Sequence, residues 1–388
     1  MKGGFRSLNE ILSFRGGGTP RKDVPEYWSD EIPWASVKDF KSLDLAKTQD
    51  SISRKGLEAS ASNLIPAGHV IIPTRMALGK AAINSIDMAI NQDLRALIPK
   101  VPLDSRYLLH AMIGLADEIV RYGSGATVKG ITQENLGKLQ IPLPPLAEQK
   151  RIAAILDAAD ALRAKRREAL AQLDALLQST FLTLFGDPVE NPMGWPVVTI
   201  GDLLSSTAYG TSTKAHEEKR GFPCLRMNNI TYAGGWDFRS LKYVDLKPKE
   251  VSKNTVHRGQ ILFNRTNSKE LVGKTAVYRR DEPMAFAGYL VRGITNAEAD
   301  AEYISAFLNL PQGKAILQGM CKSIVGMANI NAQEFKSISL PKPPIALQQR
   351  FAAVVKSVEH QKAAQRGHLT ELDALFAALQ HRAFRGEL

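Results

Sequence analysis

Hydrophobic positions recur every three or four places along one long stretch: Ile152, Ile155, Leu156, Ala159, Leu162, Leu170, Leu173, Leu176, Leu177, Phe181 and Leu184. That spacing lays them in one stripe on a helix. Pro142, Pro144 and Pro145 lead in, where a missing backbone N–H costs nothing, and Gly186 with Pro188 supplies a stop. About forty residues at 1.5 Å each predict a rod of roughly 60 Å. A second stripe runs through Phe351, Val354, Val355, Val358, Leu369, Leu372, Leu375, Phe376 and Leu379. The two stretches are copies. At a constant offset of 199, residues 141–187 and 340–386 share 16 identities over 47 positions, including Pro142, Gln149, Arg151 and Asp174 with Pro341, Gln348, Arg350 and Asp373. Internal duplication therefore organises the chain.

Elsewhere the pattern changes to short apolar runs bounded by turn residues. In the first segment, residues 7–14 are a short amphipathic stretch, 32–37 and 70–73 read as strands and 107–122 as a helix. The segment after the first helix repeats that order. Residues 195–204 come first, 225–230 stand where 35–40 stood, and 260–263 stand for 70–73. Met284, Ala285 and Tyr303 then answer Met88, Ala89 and Tyr107. The expected fold class is α+β: two similar mixed α/β domains, residues 1–141 and 188–341, separated by two long helices, 142–187 and 342–388, that pair as an antiparallel coiled coil. Arg166 and Gln365 interrupt the stripes at matching positions. Buried there, they would fix register; facing outward, they would simply meet solvent.

Composition narrows the class. A chain of 388 residues with 44% apolar content has material for two or three cores. No window approaches eighteen consecutive apolar residues and no secretion signal is legible, so the expectation is a cytoplasmic protein off the membrane. Cys224 and Cys321 stand far apart without a second Cys or His at ligand spacing, which argues against a disulfide framework or zinc site. The net charge of +11 is spread over the chain: 18 basic and 15 acidic residues in 1–140, 19 and 14 in 188–341. Two basic globular segments suit a protein that neutralises phosphates on two surfaces.

Candidate contacts with double-stranded DNA follow from polar loops in matching places. In the first segment they are Thr19, Arg21 and Lys22 after the glycines Gly16 to Gly18, then Lys38 and Asp39, then Thr74, Arg75 and Lys80. In the second they are Thr211, Ser212 and Lys214, then Arg226, Asn228 and Asn229, then Arg265, Asn267 and Lys274. Arg and Asn address base edges, and Ser, Thr and Lys address phosphates. The glycine loop lacks the spacing of a phosphate-binding Walker loop or a dinucleotide fingerprint. Shared loop order with different loop residues is the pattern of two readers of different sequences on one scaffold.

The chain resembles the specificity subunit of type I restriction-modification systems over its whole length. The resemblance rests on LPPLAEQKRIAAILD at 143–157, LDALLQSTFLTLFG at 173–186, PPIALQQRFAAVV at 343–355, GGGTP at 16–20, IPWASVKDF at 32–40 and NQDLRAL at 91–97. In the second domain Tyr289 and Leu290 replace Asp93 and Leu94. The resemblance implies two target-recognition domains and a non-catalytic chain that binds no cofactor itself. Its partners would be DNA, two methyltransferase subunits and restriction/translocase subunits, with S-adenosylmethionine, ATP and magnesium on those partners. The chain has no Walker lysine and no Asn/Asp-Pro-Pro-aromatic motif, and acidic-x-Lys triplets such as those at 217–219 and 334–336 lack the Pro-Asp partner of a nuclease. Two rival readings are a structural coiled-coil scaffold without DNA and a freestanding DNA-modifying enzyme.

Overall fold

The computed structural model describes residues 4–125, 128–324 and 327–388. The duplicated stretches are two uninterrupted helices, Leu146–Phe185 and Ile345–Ala383. Gly186 ends the first with a φ of +80°, a conformation that a residue without Cβ adopts at little cost. Contacts divide the chain into two units, Met1–Arg166 with His368–Leu388, and Arg167–Gly367, so the division falls inside both helices.

In the first unit, Arg151 donates to the Leu388 carbonyl (2.9 Å) and Arg163 pairs with Asp373 (2.6 Å). One index rises as the other falls, so the helix segments run antiparallel. In the second unit, Asp174 meets Lys362 at 2.7 Å and Phe181 packs on Phe351 with centroids 5.6 Å apart, which is antiparallel again. The apolar stripe is not a continuous seam. Ile152, Leu156 and Ala159 are buried with Phe376 and Ala383 in the first core, and Phe181, Phe185, Phe351 and Val355 in the second. Leu162, Leu176 and Leu375, expected in the stripe, are 49%, 47% and 48% exposed, because that stretch is held by ion pairs instead. Arg166 and Gln365 are both partly buried.

Each globular domain is closed by a strand pair joining its two ends: Phe5–Ser7 with Gln140–Pro142, and Val197–Thr199 with Ser339–Pro341. The first domain has a five-stranded sheet in the order Leu12–Gly16, Leu94–Pro99, Val70–Pro73, Ala82–Asn84, Asp44–Leu45. A four-stranded sheet follows the order Asp50–Ile52, Ile32–Ala35, Met88–Ile90, Leu64–Ile65. The second domain repeats four strands of the first sheet and all four of the other. Leu204–Tyr209, Leu290–Thr295, Ile261–Asn264 and Thr275–Val277 form one sheet, and Lys242–Val244, Phe222–Leu225, Met284–Phe286 and Thr255–Val256 the other. The parallel contact of Trp34 with Ala89 recurs as Cys224 with Ala285.

Two differences from the sequence reading are local. The strand expected at 32–37 ends at Ala35 and residues 37–39 form a tight turn capped by Asp39, and the helical stretch after Tyr107 splits into Ser105–Gly114 and Ala116–Arg121. The match between the domains is also shifted by one place at the third loop. Pro73 faces Leu94 where Asn264 faces Leu290, so Thr74 corresponds to Arg265 and Arg75 to Thr266.

The proline-led motif has a structural job. Gln149 is buried, accepts from the Asp104 N–H (2.9 Å) and donates to the Pro144 carbonyl (2.9 Å). Gln348 does the same with Asp300 and Pro343. Tyr107 and Tyr303 donate to the carbonyls of Pro142 and Pro341 at 2.7 and 2.6 Å. These bonds fasten each long helix to the core helix of its domain by satisfying polar groups that burial would otherwise penalise.

Candidate nucleic-acid interface

In the first domain the polar loops meet around an open cleft. Gly17 fits against the Ile90 carbonyl so closely that a Cβ there would lie 1.9 Å from the oxygen, and Gly18 donates to that oxygen at 3.0 Å. The three glycines thus form a packed shelf rather than a flexible loop. Trp34 donates its indole N–H to the Gly18 carbonyl (3.0 Å), and Trp28 packs edge-on against Trp34. The shelf brings Thr19 to Gln92, whose side-chain oxygen accepts the threonine hydroxyl. Lys22, Lys38, Met76, Asn91 and Asp93 complete the cleft.

The other candidates of this domain divide by burial. Asp39 is buried and accepts from the N–H groups of Ser36 and Gln49, each at 2.8 Å, so it shapes the turn that carries exposed Lys38. Thr74 is buried and bonded to the Asp93 carbonyl, while exposed Arg75 stands 3.8 Å from the Asp93 carboxylate. Lys80 donates to the Phe40 carbonyl at 3.1 Å and holds the same turn from behind. Arg21 lies on the surface, paired with Asp23 at 2.6 Å; the guanidinium hydrogen bond holds that carboxyl below its ordinary range. Exposed pairs of this kind contribute little to stability.

The second domain keeps the frame and changes the lining. Gly210 packs against the Phe286 carbonyl, and Thr211 donates to it at 2.9 Å as Gly18 does to Ile90. Gly288 takes the place of Gln92 and donates to the Thr211 carbonyl at 2.9 Å. Exposed Tyr289 takes the place of Asp93, its carbonyl accepting the Arg265 N–H at 3.0 Å. The Arg265 guanidinium lies 4.9 Å from the centre of the Tyr209 ring and donates to Asn329 (3.3 Å), next to the strand Thr266–Asn267.

Ser212, Lys214 and Asn228 are exposed on neighbouring loops. Asn229 is buried, tying the Arg226 N–H to the Asp237 carbonyl at 2.8 Å on each side. Lys274 is buried as well, its ammonium donating to the carbonyls of Met227 (2.7 Å) and Ile230 (2.6 Å), and burial pushes its pKa down. Half-buried Arg226 donates to the Ser240 carbonyl at 3.3 Å. Asn229 and Lys274 therefore set the shape of the loop that presents Asn228. Gln92, Met76, Tyr209 and Asn329 were not among the sequence candidates. Gln92 lay in a quoted motif; the others become visible only when distant loops are brought together.

A model described as the type I restriction modification DNA specificity domain matches residues 4–172 and again 192–374. The chain belongs to that family. The two matches follow the duplication, one per globular domain with much of its helix. Among relatives of this specificity family, the MjaIX specificity subunit of Methanocaldococcus jannaschii is 25% identical over 247 residues, 58% of this chain and 57% of that one. The EcoR124I/EcoR124II specificity subunit of Escherichia coli is 32% identical over 184 residues, 46% of each chain. The chain thus spans about half the length of these relatives. The crystal structure of the type I restriction-modification S subunit from M. genitalium shares the fold with a TM-score of 0.58 at 15% identity, covering 98% of this chain and 96% of that one. Among the described residues, no helix is long and apolar enough to cross a membrane and no group of three or more His, Cys, Asp or Glu is placed to hold a metal.

Proposed function

We propose that this chain reads DNA in two parts, one half-site per globular domain, and performs no chemistry itself. The observation that carries the reading is a family fold present twice with its frame intact and its lining changed. Gln92, Asp93 and Thr74 in one domain stand where Gly288, Tyr289 and Arg265 stand in the other. A fold kept for stability alone has no need to vary these positions while repeating the close-packed glycine, Gly17 and Gly210, and the lysine bonded to a carbonyl of the neighbouring loop, Lys80 and Lys274.

On this reading the cleft side chains address base edges in the major groove, Lys22, Lys38 and Lys214 neutralise phosphates, and the Ser212 hydroxyl donates to a phosphate oxygen. The long helices fix the gap between half-sites, which lie about one helical turn, roughly 34 to 36 Å, apart. Two methyltransferase subunits and, in the larger complex, restriction/translocase subunits are the partners. They carry S-adenosylmethionine, ATP and magnesium, act in the cytoplasm, and flip the chosen base out of the stack.

The test is the set of sites methylated across a genome when the full chain is co-expressed with its methyltransferase subunit. A two-part motif with a fixed gap, of which replacing residues 1–140 by another family member's domain alters one half only, is the expected result. A contiguous motif, or none with the complex assembled, would leave the helices as a scaffold and defeat the reading.

A further inference from the structure

We infer that Gln92 reads a base edge in the first domain's half-site, and that its target is an adenine. The inference rests on the two-part reading proposed above and goes on to name the residue and the base. Gln92 is exposed at the lip of the cleft, yet its carbonyl oxygen is held by the Thr19 hydroxyl. Both backbones that bring these side chains together are set by the core. Gly17 and Gly18 abut the Ile90 carbonyl, Trp34 anchors the Gly18 carbonyl, and the neighbouring Asn91 N–H donates to the Ala35 carbonyl at 3.0 Å. A long surface amide ordinarily loses side-chain freedom on binding; this one is already oriented, so less is lost.

The chemistry selects the base. An amide gives one donor and one acceptor side by side, which matches N7 and the N6 amine of adenine in the major groove. The Thr19 hydroxyl occupies one lone pair of the carbonyl oxygen and leaves the second to accept from N6, while Nε2 donates to N7. Lys22 and Lys38 line the same cleft and supply charge for the adjoining phosphates. The second domain has Gly288 at this position on an equivalent backbone, so the contact belongs to the first half-site alone.

The experiment compares methylated sites for the full chain and its Gln92→Ala and Gln92→Glu variants, each co-expressed with the methyltransferase subunit. In Gln92→Ala, one adenine position in one half-site becomes degenerate, a preference of roughly 5- to 150-fold being lost, while every other position is retained. Gln92→Glu lacks the amide donor and disfavours that adenine. An unchanged motif at undiminished methylation would overturn the inference. Binding of the purified complex that weakens equally on all sequences would overturn it too, because the loss of a reader is confined to one base pair. A wild-type motif that is contiguous defeats the two-part reading itself and is recognised before any variant is made.

Discussion

Arg163 and Asp373 lie 210 places apart in the chain and join through Nε and Oδ1 at 2.6 Å. The same pair exists a second time. At the duplication offset of 199, Arg163 corresponds to Lys362 and Asp373 to Asp174, and Lys362 bonds Asp174 at 2.7 Å. Even the local support repeats: Arg163 also holds Asp160 at 2.7 Å, and Lys362 holds the corresponding Glu359 at 2.6 Å. A gene duplication followed by antiparallel pairing produces this arrangement, since each copy meets the other in the same register.

Lys362 is 5% exposed at its side chain, whereas its two acidic partners are 43% and 21% exposed. Lys362→Met leaves two carboxylates facing each other beside a buried stem and is expected to cost about 2–3 kcal/mol, less than a fully buried pair because water reaches both acids. Lys362→Arg is expected to retain most of that. Thermal unfolding of the three chains checks it.

Gln149→Ala strands the partly buried Asp104 N–H and the Pro144 carbonyl, and Gln348→Ala does the same to Asp300 and Pro343. Each is expected to lower stability by about 2 kcal/mol. Denaturant titration of both variants should give similar losses; a harmless substitution at either position would contradict the clamp.

Gly17→Ala places a methyl group 1.9 Å from the Ile90 carbonyl, so the shelf must move. A cost above about 2 kcal/mol is expected, with DNA binding in the assembled complex falling further than at Gly68→Ala. Gly68 has open space around its missing Cβ but a φ of +89°, and it lies away from the cleft, so its cost is confined to backbone strain.

His110 is fully buried, donates from Nε2 to Asp157 at 2.7 Å and leaves Nδ1 without a partner. Burial pushes its pKa below the ordinary 6.5. Burial also pushes the Asp157 carboxyl up, but hydrogen bonds from Arg106 and His110 outweigh it and hold that group below 3.8. With the folded histidine depressed, the unfolded chain takes up the proton first as pH falls. The stability His110 contributes is therefore present above about pH 6.5 and lost below it. Melting temperature should fall between pH 7 and pH 5.5 in the wild type and fall less in His110→Asn; equal slopes would refute the assignment.

The order of residues was enough to reveal the duplication, both long helices, the Pro-x-x-x-x-Gln start of each and the repeated order of the globular segments. These are local facts: periodicity and offset are written along the chain and depend on neighbours within a few turns. Antiparallel pairing was also legible, because two copies of one stripe offer each other a partner and the chain between them is long enough to return.

What only the tertiary structure decided was the use of each polar side chain. Asp39, Asn229 and Lys274 read as loop residues like Lys38, Asn228 and Arg75, yet the first three are buried and bonded to backbone groups, Asp39 and Asn229 close to their own turns and Lys274 in the loop that holds Met227 and Ile230. Nothing along the chain shows that the glycines at 16–18 pack against the Ile90 corner, where a Cβ at Gly17 would meet the Ile90 carbonyl. The one-place shift between Thr74 and Arg265 followed from strand register, which sequence alignment alone did not show. Composition says which groups are polar, but whether a polar group meets solvent, a base or a backbone carbonyl depends on which distant segments the core brings beside it.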